Sequence, residues 1–278
     1  MNKNFKLEIF KKASLCRNFE ERVIVNVNNK NITTPVYVSA GQEFIAATLA
    51  SICKKKKIKP LIFGQHRCHS TYLAFGGNMV ELIDELLGRE TGCTKGKGGS
   101  ASIHSKNINM FGHDGLMGSN GPIGVGACFA TKKPTIIFLG DAAVEEDYVL
   151  GALGWASHKK LPILFIVEDN DLSILTKKSV RRNWNMKDVA RSFKLEGHDI
   201  KDDPKEIVNH SKFFFKKPML LNINTNRIFW HAGGGMDKKK TFDRFKNEKK
   251  KLGTQAIKID EQYKIKIEKL WKLQLERQ

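Results

Sequence analysis

The chain of 278 residues contains no run of about 18 apolar residues, which excludes a membrane-spanning helix from its expected elements. Its first residues, Met1-Asn2-Lys3-Asn4-Phe5-Lys6, lack the apolar centre of a secretion signal, so none is expected. The five cysteines, Cys16, Cys53, Cys68, Cys93 and Cys128, show no paired spacing. They read as reduced thiols, and the expected compartment is cytoplasmic. Zinc at His66, Cys68, His69 and Cys93 is disfavoured, because their spacing is not that of a structural zinc site. Acidic residues are scarce, 29 against 48 Lys and Arg, for a net charge of +19. The lysine runs at 54–57, 238–240 and 249–251 carry no interleaved aromatics and no nucleic-acid reading motif. The expected partners therefore include no nucleic acid and no membrane. The same field suits an anionic cofactor or an acidic partner subunit. There is no internal repeat.

What is present begins with residues 134–170. An apolar run of strand character, Pro134 to Leu139, leads into Gly140-Asp141-Ala142. A helical segment follows, then a second apolar run, Pro162 to Val167, closing on Glu168-Asp169-Asn170. In a doubly wound sheet, Asp141 and Asn170 would both lie at the carboxyl edge, where ligands bind. A carboxylate and an amide oxygen suit magnesium, which often shares its shell with a diphosphate. Small residues after Asp141 let a diphosphate approach the backbone and the helix start. Taken alone, this stretch would also fit an ordinary strand–turn–helix with Asp141 as an N-cap.

The remaining chain predicts an α/β protein, a doubly wound and mostly parallel sheet flanked by helices. Helical spacing of Phe5, Ile9, Phe10, Leu15 and Phe19 predicts a helix over 5–24, followed by a polar connection over 26–34. A second helix follows Gly41, Leu61-Ile62-Phe63 reads as a strand, and residues 78–87 read as an amphipathic helix. Two glycine-rich stretches follow, at 88–99 and 112–126. Residues 172–185 read as a mobile basic loop, 218–223 as a strand, and 228–252 as irregular, with Gly233-Gly234-Gly235 and much lysine. Residues 259–275 are amphipathic and are expected to dock on the domain or on another subunit. Residues 1–225 are the expected cofactor-binding domain, and 226–278 an active-site loop and helical tail.

Several segments resemble, in the same order, the alpha subunit of the thiamine diphosphate-dependent decarboxylating component of 2-oxo acid dehydrogenases. That family includes the pyruvate, branched-chain and acetoin enzymes. The segments are Arg17-Asn18-Phe19-Glu20-Glu21, Ser39-Ala40-Gly41-Gln42-Glu43, His66-Arg67-Cys68-His69, the loop from Gly88 to Ser100, the turn from Gly112 to Gly118, and Gly140-Asp141-Ala142 with Asn170. The resemblance implies the diphosphate-binding half of the thiamine diphosphate fold. It implies magnesium held by Asp141, Asn170 and the carbonyl of Leu172. It further implies cofactor contacts from His66, Arg67, Gly115, Met117, Ala142 and Ala143, and catalytic roles for His231 and His69.

The chain also departs from the family. Ala142 replaces the second glycine of Gly-Asp-Gly, His66 replaces a tyrosine, and Asp169 and Leu172 replace Asn and Tyr. Gly151 and Gly154 stand where many relatives have Glu and Asn, while Glu145 and Glu146 resemble a subgroup often encoded with surface-sugar genes. No second α/β half follows residue 223. The resemblance therefore implies a separate beta subunit that supplies the pyrimidine half, in an α2β2 assembly. If an activating acid lay within this chain, Glu43 would be the first candidate. The implied reaction is decarboxylation of a 2-oxo acid with transfer of the acyl or aldehyde unit, with a lipoyl acyltransferase as an acceptor partner. A carboligase, an acetoin-cleaving enzyme and a non-catalytic relative remain alternatives.

Overall fold

A computed structural model describes residues 1–232, 236–237 and 242–277. Gly233 to Gly235 and the lysine run at 238–240 lie outside the described residues. The helices are α1 Lys3–Asn28, α2 Glu43–Lys55, α3 His69–Ala74, α4 Met79–Leu86, α5 Asn120–Thr131, α6 Asp147–His158, α7 Lys178–Arg181, α8 Met186–Ser192, α9 Pro204–His210, α10 Arg244–Leu252 and α11 Thr254–Glu276. The strands are β1 Leu61–Phe63, β2 Met110–Phe111, β3 Thr135–Gly140, β4 Ile163–Asp169, β5 Leu172–Ser173, β6 Thr176–Lys177, β7 Glu196–Lys201 and β8 Met219–Asn224.

Six strands form one parallel sheet in the order β2-β1-β3-β4-β8-β7. The parallel sheet is as the sequence predicts, whereas β2 and β7 are not among the expected strands. Alternation along the strands shows why both faces are covered. Ile136 and Phe138 of β3, with Leu164 and Ile166 of β4, join the core under α1, α2 and α11. Ile137 and Leu139, with Ile163, Phe165 and Val167, point the other way into the core under α6 and α8. A strand buried on both faces must be apolar throughout, and β3 and β4 are the apolar runs of the sequence. The chain leaves β1 toward β2 on one side and then crosses to β3 on the other. That reversal makes the carboxyl ends of β1 and β3 the natural crevice of the sheet.

Several expectations need correction. The stretch at 112–126 is a turn only in its first half, because α5 begins at Asn120. Its small residues serve close packing: a Cβ on Gly124 would stand 2.6 Å from Ile137 and 3.0 Å from Phe63. Residues 228–252 are not irregular throughout. Asp243 caps α10 by accepting the Phe245 N–H at 2.9 Å. Residues 172–185 hold the antiparallel β5–β6 hairpin and the short α7. The amphipathic segment 259–275 docks on the domain, one of its two expected seats: Trp271 of α11 is fully buried with its ring 5.8 Å from that of Phe19 in α1.

Candidate active site

The loops after β1, β3 and β4 converge on a cavity of about 230 Å³. After β1 come Gln65, His66 and Arg67, after β3 come Asp141, Ala142 and Ala143, and after β4 come Asn170 and Leu172. Met117 from the glycine-rich turn and His231 from the loop after β8 complete this part of the lining. The structure thus brings together most of the residues singled out in the sequence. Gly115 sits in the same turn as Met117 with a φ of +105°, outside the cavity wall.

His69 is placed elsewhere. It is fully buried, with Nδ1 at 3.0 Å from Glu20 Oε2 and Nε2 at 2.9 Å from Ser100 Oγ. Both ring nitrogens are thereby engaged, and the ring does not line the cavity. Its role is to join α1, α3 and the first glycine-rich loop, since Ser100 Oγ also accepts the Tyr37 N–H at 2.8 Å. That loop is itself organised by Glu85 of α4. The Glu85 carboxylate accepts the backbone N–H groups of Thr94, Gly96, Gly98 and Gly99 at 2.7–3.0 Å.

His231 is held from two sides. The segment 225–232 lies against 36–42, with the Ile228 N–H donating to Ala40 O at 3.0 Å and Trp230 Nε1 to Val36 O at 2.9 Å. Gly41 permits this approach, because its φ is +96° and a Cβ there would stand 2.1 Å from Asn226 O. Arg67 Nη2 then lies 2.7 Å from His231 Nδ1, and Arg227 Nη1 lies 3.3 Å from the same atom. A guanidinium can only donate, so Nδ1 is the acceptor and the imidazole proton resides on Nε2. Burial first, and the two guanidinium charges next, push the His231 pKa down to about 4. Its ring meets Tyr37 edge-on, with centroids 5.7 Å apart.

The positive charge is in excess here. Arg227 is fully buried and pairs with Asp237 at 2.6 Å, but Arg67 makes its closest contacts to carbonyl oxygens and His231. Burial and the facing Arg227 both disfavour the Arg67 charge. An anion beside Arg67 would relieve this strain, and guanidinium geometry suits phosphate oxygens. His66 Nε2 is buried without a hydrogen-bond partner among the described residues, and so is Gln42 Nε2. Of the two, His66 lines the cavity, and an unpaired buried group there is what a polar ligand would satisfy.

On the opposite wall, Asp141 is 2% exposed and Asn170 is 6% exposed. Asn170 Nδ2 donates to Gln42 Oε1 at 3.0 Å, and its Oδ1 accepts the Leu172 N–H at 3.2 Å. This fixes the amide with its oxygen turned toward Leu172. Among the described residues, no group of three or more His, Cys, Asp or Glu could hold a metal ion. A cation at Asp141 and Asn170 would thus share its shell with oxygens of a bound ligand, as a magnesium diphosphate does. The residues present fit that group.

The sequence reading missed several members of the site. Glu168 is buried and donated to by Gln65 Nε2, and burial pushes its pKa up to about 7. Arg181 donates through Nη2 to Asp141 Oδ2 at 2.6 Å. Glu168 was legible as the polar end of an apolar strand, whereas nothing in the sequence paired Arg181 with Asp141.

The family model described as dehydrogenase E1 component matches residues 11–259. The chain belongs to the dehydrogenase E1 component family. This E1 chain is 30% identical over 279 residues to the pyruvate dehydrogenase E1 component subunit alpha of Rickettsia prowazekii, covering 92% of this chain and 83% of that one. A relative from Oryza sativa, the mitochondrial pyruvate dehydrogenase E1 component subunit alpha-1, is 29% identical, covering 81% of this chain and 60% of its own length. Among solved structures, the transketolase of Campylobacter jejuni shares the fold with a TM-score of 0.61 at 16% identity, over 100% of this chain and 49% of that one. The transketolase of Leishmania mexicana does so with a TM-score of 0.59 at 16% identity, over 96% and 46%. The E1 chain therefore spans about half the length of these transketolases.

Proposed function

We propose that this chain is the alpha subunit of a thiamine diphosphate- and magnesium-dependent enzyme that decarboxylates a 2-oxo acid and transfers the resulting acyl or aldehyde unit. The observation that carries this reading is the convergence of Asp141, Asn170, Arg67 and His231 on one cavity, in a chain of the E1 component family. Asp141 and Asn170, with Leu172, would hold magnesium. Arg67 would meet the diphosphate, beside Ala142 and Ala143, where small side chains leave room for it. Gly115 and Met117 would meet the aminopyrimidine.

When bound, the cofactor supplies the carbanion and electron sink that loss of carbon dioxide requires. The chain's own residues do the remainder. The buried guanidiniums of Arg67 and Arg227 set a positive field for the phosphates, and burial together with that field keeps His231 neutral. The imidazole can therefore donate from Nε2 to an oxygen of the reacting substrate and need not first lose a proton.

A cavity of about 230 Å³ lies below the size of ordinary cofactor sites, about 300–1,000 Å³. Leu116 and Met117 beside it are 59% and 39% exposed. Both features support a site completed by a beta subunit that covers the glycine-rich turn; the α2β2 assembly and a lipoyl acyltransferase as acceptor complete the proposal and rest on the resemblance alone. Among the described residues no helix is long and apolar enough to cross a membrane. The cysteines are free, which suits the cytoplasm.

Calorimetric titration of thiamine diphosphate with magnesium into the assembled pair tests the assignment. Asp141→Ala and Asn170→Ala should each abolish magnesium-dependent binding while the chain stays folded, since magnesium tolerates little change in its octahedral shell. Unchanged affinity in both variants would remove the metal assignment.

A further inference from the structure

The Asp141 carboxylate, 2% exposed, lies at the end of β3 and belongs to no group of three or more metal-binding side chains among the described residues. A buried carboxylate without a counter-charge is costly. Here the counter-charge comes from the segment after β6. Arg181 Nη2 meets Asp141 Oδ2 at 2.6 Å, and Arg182 Nη1 donates to the Asp141 carbonyl at 3.0 Å. Lys178 of the same segment pairs with Asp169. α7 and the residue after it thus lay a row of cations along the acidic carboxyl edge of β3 and β4.

We propose that Arg181 is an internal counter-ion of the metal seat, which a divalent cation must displace from Asp141. The inference rests on the assignment of Asp141 as a metal ligand. A dication bound to Asp141 would face the guanidinium across a single carboxylate, and the two like charges repel at that separation. The structure also provides a place for the guanidinium once released. Arg181 Nε already lies 3.2 Å from Glu145 Oε1, and Nη1 donates to Thr176 O at 2.7 Å. The side chain can therefore swing off Asp141 while Glu145 and Thr176 retain it. In the metal-free chain Arg181 stabilises the buried carboxylate, and in the loaded chain Glu145 takes over its charge.

The test is Mn²⁺ binding to the full-length chain at one fixed concentration of thiamine diphosphate, which supplies the remaining oxygens of the shell, read from the electron paramagnetic resonance of the free ion. Arg181→Gln should bind Mn²⁺ about tenfold or more tightly than the wild type. Asp141→Asn should abolish binding in either background. Arg182→Gln, which alters contacts to the Asp141 carbonyl, to Glu145 and to the Trp184 ring but none to the Asp141 carboxylate, should leave the affinity within about twofold. Thermal unfolding gives a second readout. Arg181→Gln and the milder Arg181→Lys should each melt lower than wild type without metal, and Mg²⁺ should restore the loss. Equal or weaker Mn²⁺ binding by Arg181→Gln, or no binding by either chain, would overturn the proposal. Binding that survives Asp141→Asn would instead overturn the metal assignment on which it rests.

Discussion

Arg67 Nη2 stands 2.7 Å from His231 Nδ1, so a guanidinium assigns the tautomer of the loop histidine. The contact links β1's following loop to the segment after β8, two parts of the chain 164 residues apart. It leads to a prediction on protonation. Burial and the charges of Arg67 and Arg227 place the His231 pKa at about 4 against an ordinary 6.5. The folded chain therefore binds fewer protons here than the unfolded chain between those values. The contribution to stability is full above the unfolded value and is lost as pH falls toward about 4. Histidine resonances followed by NMR should show His231 titrating well below the ordinary range, and Arg67→Met should move it upward. A wild-type midpoint near 6.5 would contradict the assignment.

His231 and His69 should separate cleanly when each is replaced by alanine. His231→Ala should lower turnover about a hundredfold or more with a smaller effect on cofactor affinity, since a positioned proton donor acts mainly on rate. His69→Ala removes the partner of the buried Glu20 carboxylate and should cost about 3–5 kcal/mol of stability. Urea unfolding beside steady-state kinetics distinguishes the two. Wild-type stability in His69→Ala, with turnover lost, would restore His69 as a catalytic residue.

Glu85 should be the keystone of the first glycine-rich loop. Its carboxylate accepts four backbone N–H groups, and those bonds hold its pKa below the ordinary carboxylate range. Glu85→Ala leaves these donors unpaired and should cost about 3 kcal/mol. Limited proteolysis should then cut within 88–100 under conditions where the wild type is resistant. Because the depressed pKa makes the stabilisation present at neutral pH and lost on acidification, the difference between the two chains should shrink in acid. An unchanged cleavage pattern would show that the loop is held by other contacts.

The parts of this molecule that could be read in advance are those in which local sequence repeats the tertiary constraint. The apolar runs of β3 and β4 are covered on both faces, so they are visible, and Asp141 and the group Glu168-Asp169-Asn170 stand out as the polar residues that end them. The edge strand β7, Glu-Gly-His-Asp-Ile-Lys, is buried only in part and carries no such run. The short helix α9 was announced only by Asp203 as a cap and Pro204 at its start. Arg181 could not be paired with Asp141 from sequence, because the contact spans 40 residues and depends on how the β5–β6 hairpin folds back. His69 looked catalytic for the opposite reason. The resemblance of His66-Arg67-Cys68-His69 to the family segment implied a role for it, but at the start of α3 its ring meets Glu20 and does not line the cavity.

The most direct test of the account is reconstitution of decarboxylase activity from separately purified chains. The alpha chain alone should turn over no 2-oxo acid in the presence of thiamine diphosphate and magnesium. Addition of a beta subunit should raise the activity to a plateau at about one partner per chain, as an α2β2 assembly requires. Full activity from this polypeptide alone would contradict the split site and would require an activating acid within it. Glu43 is an unsuitable candidate for that acid, since Arg17 at 2.6 Å and the Gly41 N–H at 2.5 Å already occupy its oxygens. Glu146, which lines the cavity, would then be the residue to replace.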